Sequence, residues 1–249
     1  MKLHIFGDTS KPKILILHPL LLDGKTMYEY FKDSFPGYCI VAPDLGGHGK
    51  DLEQFLDVND QADQLKEMLI CHNLYDFDLL LGFCIGGRLA LSFLHNCPCN
   101  FKVIYLDGVP AYRSAGLRNF ITKRLFVSYI HDTLKNEKAT LKQLQKVYGD
   151  LSHNIVDGLK KIQKASIYPI SDASQSYEFF EYPDSLQKKL YFYYGKKEYD
   201  KRCIRALNTC YPMAHFTLRK GYDHCEYAVK DKEGFASEIK QLIQKHSES

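Results

Sequence analysis

The stretch LLLGFCIGGRLAL, residues 79–91, constrains the fold more than any other part of the chain. Its apolar start, within DFDLLLGF, suits a strand buried on both faces. GGRLALSFLHN then continues as a helix, and between the two elements glycines at 82 and 86 bracket Cys84. Those glycines relieve crowding where a strained turn passes close to neighbouring backbone, and Gly87 lets the helix pack tightly. Such a turn pushes residue 84 out at the sheet edge and sets it at a helix start. Free N–H groups and a positive partial charge there favour a thiolate.

The rest of the chain repeats the alternation. KLHIFG near the N-terminus reads as an edge strand, and KILILHP, YCIVAPDL and FKVIYLDG as further strands. Asp23 is placed to cap a helix through TMYEYFKDSF, and Asn59-Asp60 leads into a helix through QADQLKEMLICHNL. From Val109 to Lys189 no buried strand is expected, and LRNFITKRLFVSYI and ATLKQLQKVYGDL read as amphipathic helices. LYFYYGKK, a helix through CIRALNTC, the strand AHFTLRK, the turn GYDHCEY and a helix through GFASEIKQLIQKH follow. The pattern predicts an α/β fold with a mostly parallel central sheet and helices on both faces. Residues 1–108 and 190–249 form the expected core, and 109–189 a helical insertion over the strands' C-terminal edge, where α/β ligands bind.

Composition narrows the function classes. A net charge of +3 over 249 residues implies neither nucleic acid nor an anionic membrane as partner. No apolar run approaches a spanning length, and MKLHIFGDTSKPK lacks a signal peptide's h-region, so a cytoplasmic location is expected. The eight cysteines show no regular framework, which favours reduced thiols. Cys97-Pro98-Cys99 has no matching second pair, so neither metal nor cofactor is expected. The insertion carries thirteen Lys/Arg against eight Asp/Glu. That excess reads as a solvated helical face, with recognition of anionic acyl groups as the sharper alternative.

Residue 84 is where a glycine-flanked turn usually carries a serine nucleophile, so cysteine there points to acyl chemistry. The Ile85 N–H would face an oxyanion formed on an acyl group at Cys84. A second donor belongs in the loop after an early strand, where LHPLLLDG offers Leu20, because Pro19 has no N–H. The base should be a late histidine, His224 in GYDHCEY. The orienting carboxylate should follow the penultimate strand, where YYGKKEYD offers Glu198 and Asp200. Asp107 is a third candidate acid, read as structural or pocket-lining, and Asp223 should point elsewhere. His18 and His48 read as loop-fixing residues, Asp44 as a bonder of local backbone amides, and Cys225 as a satisfied neighbour of the histidine.

These motifs together resemble the α/β-hydrolase superfamily along nearly the whole chain. LHPLLLDG is similar to its His-Gly oxyanion loop, APDLGGHGKD to its proline–aspartate–glycine–histidine–glycine segment, and GFCIGG to its nucleophile elbow. The insertion corresponds to its cap. Pro19 stands where the superfamily usually has glycine, and Cys84 where it commonly has serine. The elbow is similar to those of dienelactone hydrolases and polyhydroxyalkanoate synthases, both cysteine enzymes. The capped insertion is unlike the former, and the chain is short for the latter. The superfamily's usual spacing after Gly195 favours Glu198 over Asp200. The resemblance implies a hydrolase cleaving an ester, thioester or lactone of a small-molecule acyl substrate through an acyl-Cys84 intermediate. Acyl transfer by the same triad, or a non-catalytic ligand-binding module on this scaffold, are the alternatives.

Overall fold

The computed structural model describes residues 1–48, 53–111, 121, 124–125, 127–128, 130, 133, 135–175, 177–198 and 201–248. Its strands are β1 (Lys2–Phe6), β2 (Lys13–Leu17), β3 (Cys39–Asp44), β4 (Asp76–Phe83), β5 (Asn100–Asp107), β6 (Leu190–Gly195) and β7 (His215–Arg219). They form one sheet in the order β1-β3-β2-β4-β5-β6-β7. Only β1 is antiparallel, pairing with β3 along the edge. The chain moves outward from β2 to β3, then crosses back to β4, so the order of winding reverses between β2 and β4. Leu17 pairs there with Gly82.

The central strands bury both faces by simple alternation. In β2, Leu15 and Leu17 join one core cluster while Ile14 and Ile16 join the other. Helices α2 (Val58–Cys71) and α3 (Ile85–His95) cover the first face, together with α8 (Lys201–Cys210). The second face is covered by α1 (Gly24–Phe31) and α10 (Lys232–Ser247), through Phe31, Phe235 and Ile239. Ten of the eleven α3 residues are buried, which explains its mostly apolar sequence, and the buried Arg88 donates to the Ser92 hydroxyl at 2.8 Å.

Between β5 and β6 the described residues hold no strand. They form α4 (Glu137–Tyr148), α5 (Leu151–Lys161), α6 (Lys164–Gln175) and α7 (Asp184–Gln187). Gly149, at φ 50°, ends α4 and turns the chain into α5, so ATLKQLQKVYGDL is broken at its glycine. Most of LRNFITKRLFVSYI lies outside the described residues.

Capping follows the sequence at α1, where the Asp23 carboxylate accepts from the Thr26 N–H at 2.7 Å. Helix α2 starts earlier than Asn59-Asp60 suggests. It opens at Val58, and Asp57 caps it by accepting from the Asp60 N–H at 2.8 Å. Asp44 also departs from expectation. Its carboxylate accepts from the Gly24 N–H, twenty residues away, at 2.8 Å and pairs with His4 Nε2 at 2.8 Å. It therefore ties three distant segments together instead of building its own turn.

Candidate active site

All strands except β1 run the same way, so their C-terminal ends gather on one edge. Cys84 follows β4, Asp107 ends β5, Glu198 follows β6, and His224 follows β7. The loop holding Leu20 follows β2, directly beside β4 at the reversal of winding, the place where open α/β sheets form a ligand crevice.

Cys84 adopts φ 50° and ψ −116°, a conformation costing a non-glycine residue about 1–3 kcal/mol. Its neighbours enforce it. The Cys84 N–H donates to the Asp107 carbonyl at 2.9 Å, and its own carbonyl accepts from the Arg88 N–H at 3.0 Å. A Cβ on Gly86 would lie 2.2 Å from the Leu17 carbonyl oxygen, so only glycine lets the helix start meet β2. Ile85 is the first residue of α3, where N–H groups have no carbonyl a turn behind them.

The loop carrying Leu20 is fixed by a histidine. Leu45 N–H donates to His18 Nε2 at 3.0 Å, so the proton sits on Nδ1, which donates to the Pro19 carbonyl at 2.8 Å. Burial lowers the His18 pKa to about 3, so the ring stays neutral. In a trans peptide N–H and C=O point opposite ways, so pinning the Pro19 carbonyl aims the Leu20 N–H away from His18. His48 supports this arrangement: its Nδ1 donates to the Gly46 carbonyl at 2.9 Å, and its ring meets that of His18 edge to face.

His224 Nδ1 lies 3.3 Å from Glu198 Oε2. The other Glu198 oxygen accepts from the Gly195 N–H at 2.8 Å, which fixes the carboxylate at the strand end. Cys84 and Cys225 lie close enough to the imidazole to shift its titration, so nucleophile, base and acid sit together at one edge of the sheet. The His224 side chain is 40% exposed, open to the cavity. Its pKa is held well above the ordinary imidazole range by the sulfurs beside it, first Cys225 and then Cys84, against the opposing effect of burial. Burial pushes the Cys225 thiol up to about 12, with His224 pulling the other way.

The other candidate acids divide clearly. Asp223 accepts from the His224 backbone N–H at 2.8 Å and leaves the ring alone. Asp200 lies outside the described residues. Asp107 is 1% exposed, and among the described residues neither of its oxygens has a hydrogen-bond partner. Burial raises its pKa to about 8, with His224 pulling the other way. Sequence reading missed Glu226, which is buried beneath the histidine turn. It accepts from the Asp223 N–H at 2.9 Å and pairs with Lys230, bracing the turn. Its position directly after His224-Cys225 offered no signal, because a glutamate in a turn ordinarily faces water.

Above Cys84 opens a cavity of about 300 Å³. It is bounded by the Leu20–Leu22 loop, by Met27, Tyr30 and Phe31 of α1, by α4 and α5, and by the short helix α9 (Tyr227–Lys230). Among the described residues no cluster of three His, Cys, Asp or Glu side chains could hold a metal ion, and no helix is long and apolar enough to cross a membrane.

Comparison with solved structures shows that the chain has the α/β-hydrolase fold. An esterase from Exiguobacterium antarcticum superposes with a TM-score of 0.74 at 18% identity, over 97% of this chain and 94% of that one. MenH from S. aureus gives 0.71 at 16% identity over 99% of each chain. A bromoperoxidase from Bacillus anthracis gives 0.72 at 17% identity, over 97% and 94%. No protein-family model matches the chain, and no curated protein matches it. One scaffold thus carries an esterase, MenH and a bromoperoxidase, and function must be argued from the site.

Proposed function

We propose that the protein is an ester- or thioester-cleaving enzyme acting through an acyl-Cys84 intermediate, with His224 as base and Glu198 as orienting acid. The esterase among the structural neighbours agrees with this reading. The observation that carries it is the placing of Cys84 and His224 together on the cavity wall, with Glu198 3.3 Å from the imidazole Nδ1.

His224 takes the thiol proton, and the Cys84 sulfur attacks the carbonyl carbon. The oxyanion is met by the N–H groups of Leu20 and Ile85. The tetrahedral species collapses, the C–O or C–S bond to the leaving group breaks, and imidazolium returns the proton to the departing alcohol or thiol. Water then gives its proton to His224 and attacks the acyl-sulfur bond, releasing the acid and regenerating Cys84. Sulfur is a better leaving group than an alkoxide or an amide nitrogen. Activated esters and thioesters should therefore outrun amides.

The test is turnover of p-nitrophenyl acetate, with mass spectrometry of the protein quenched during the reaction. A 42 Da adduct on Cys84, set by acetyl replacing hydrogen, and loss of turnover in Cys84→Ala are expected. Unchanged turnover in that variant refutes the mechanism. Glu198→Gln should lower kcat by roughly 10²–10⁴, because the wrong histidine tautomer then dominates. Asp200→Asn should stay within a few-fold of the parent. The reverse outcome would transfer the acid role to Asp200.

A further inference from the structure

We infer that the acyl group this site accepts is uncharged, apolar and short, of roughly four to eight carbons, and that the lysines of α4 and α5 do not select acidic substrates. The inference rests on the acyl-enzyme reading for its chemistry, but on the cavity alone for its selectivity.

The described wall of the cavity contains no lysine, arginine, aspartate or glutamate. Leu144 and Ile155, from α4 and α5, close the side away from the sheet. Phe31 and Phe83 close the inner end, stacked at 5.8 Å and backed by Phe235. Beside the cysteines and His224, the Tyr30 hydroxyl on this wall is already engaged, donating to the Ala228 carbonyl at 3.1 Å.

The lysines of α4 and α5 face solvent instead. Lys138, Lys142, Lys146, Lys160 and Lys161 are all exposed, and Lys160 bonds Glu137 across the outside of the two helices at 2.8 Å. Their charge is spent on the surface and reaches the cavity only through water. A carboxylate on the acyl chain would enter an apolar site unpaired, at a cost no contact here returns.

Size sets the length. At about 30 Å³ for each water-sized group, the cavity holds roughly ten such groups, carbonyl included. The aromatic inner end is packed against Phe235, so a longer chain cannot extend inward without moving Phe31 or Phe83.

The experiment compares p-nitrophenyl acetate, butyrate, hexanoate, octanoate and dodecanoate with mono-p-nitrophenyl adipate, which has hexanoate's length and a terminal carboxylate. The expected result is a rise in kcat/KM of about fourfold per methylene up to a maximum between butyrate and octanoate. Dodecanoate should fall below that maximum, and adipate at least 100-fold below hexanoate. Adipate equal to hexanoate, or an optimum at dodecanoate, overturns the inference. Ile155→Trp should move the optimum toward shorter chains. A second arm needs no catalysis: calorimetric binding of 2-octanone and of 7-oxooctanoate to the Cys84→Ala protein. Binding of 2-octanone alone supports the pocket even if no ester is turned over, in which case only the acyl-enzyme mechanism fails. Failure of 2-octanone to bind, or tighter binding of 7-oxooctanoate, overturns the pocket inference whatever the esters do.

Discussion

Cys84 combines a chemical role with backbone strain, and the two can be separated. The side chain needs φ 50° to stand at the sheet edge, yet only glycine adopts that angle freely. Cys84→Gly and Cys84→Ala should both abolish turnover. The glycine variant should be more stable than the alanine variant by about 1 kcal/mol, since alanine retains the strain. Urea denaturation of the pair measures the difference, and equal midpoints would mean the elbow relaxes. Asp107 presents the opposite case, a residue whose cost is electrostatic. Its folded pKa, about 8, stands far above its unfolded one, so between those values the folded state holds a proton that the unfolded state has released. Stability should therefore fall as pH rises from about 4 to 8. Asp107→Asn should remove that slope, with little effect on stability at pH 4 and a gain of about 1–3 kcal/mol at pH 8. Denaturation curves at the two pH values decide it, and a larger gain at pH 4 would contradict the sign.

Among the elements, the strand–elbow–helix unit is the most tightly determined. Gly86 meets the carbonyl of Leu17 so closely that Gly86→Ala must push α3 away from β2. That displacement would open the gap between the Ile85 and Leu20 N–H groups. The expected result is a loss of several kcal/mol in stability and of turnover together, read by thermal unfolding and by the ester assay. Helix α1 is held more loosely by its cap. Asp23→Ala should cost about 1 kcal/mol, with Asp23→Asn close to the parent. In the insertion, Gly149 at φ 50° lets α4 and α5 fold back over Cys84. That break was written in the sequence as YGD, but the helical periodicity on either side runs through it and hides it.

At the level of the whole molecule, the sheet places the site at the β2/β4 reversal, and six parallel strands deliver loops to one edge. Much of this was legible beforehand. Apolar runs flanked by glycine and proline marked the strands, because burial on two faces demands them. The order cysteine, acid, histidine followed from where those strands end. Less legible were contacts between segments far apart in sequence. Asp44 looked like a local turn-former and instead joins Gly24 and His4, and Glu226, which carried no sequence signal, is buried. The charge of the insertion was visible as composition, but its direction was not, since that depends on which face of α4 and α5 meets the core. The sequence by itself determined the elements, their order and the residue types at the elbow and the histidine turn, because backbone sterics and burial act locally. Only the tertiary structure decided that Glu198 bonds the His224 ring, that Asp107 has no hydrogen-bond partner among the described residues, and that the described cavity wall is mostly apolar. Those outcomes are set by distances between loops that the sheet alone brings together.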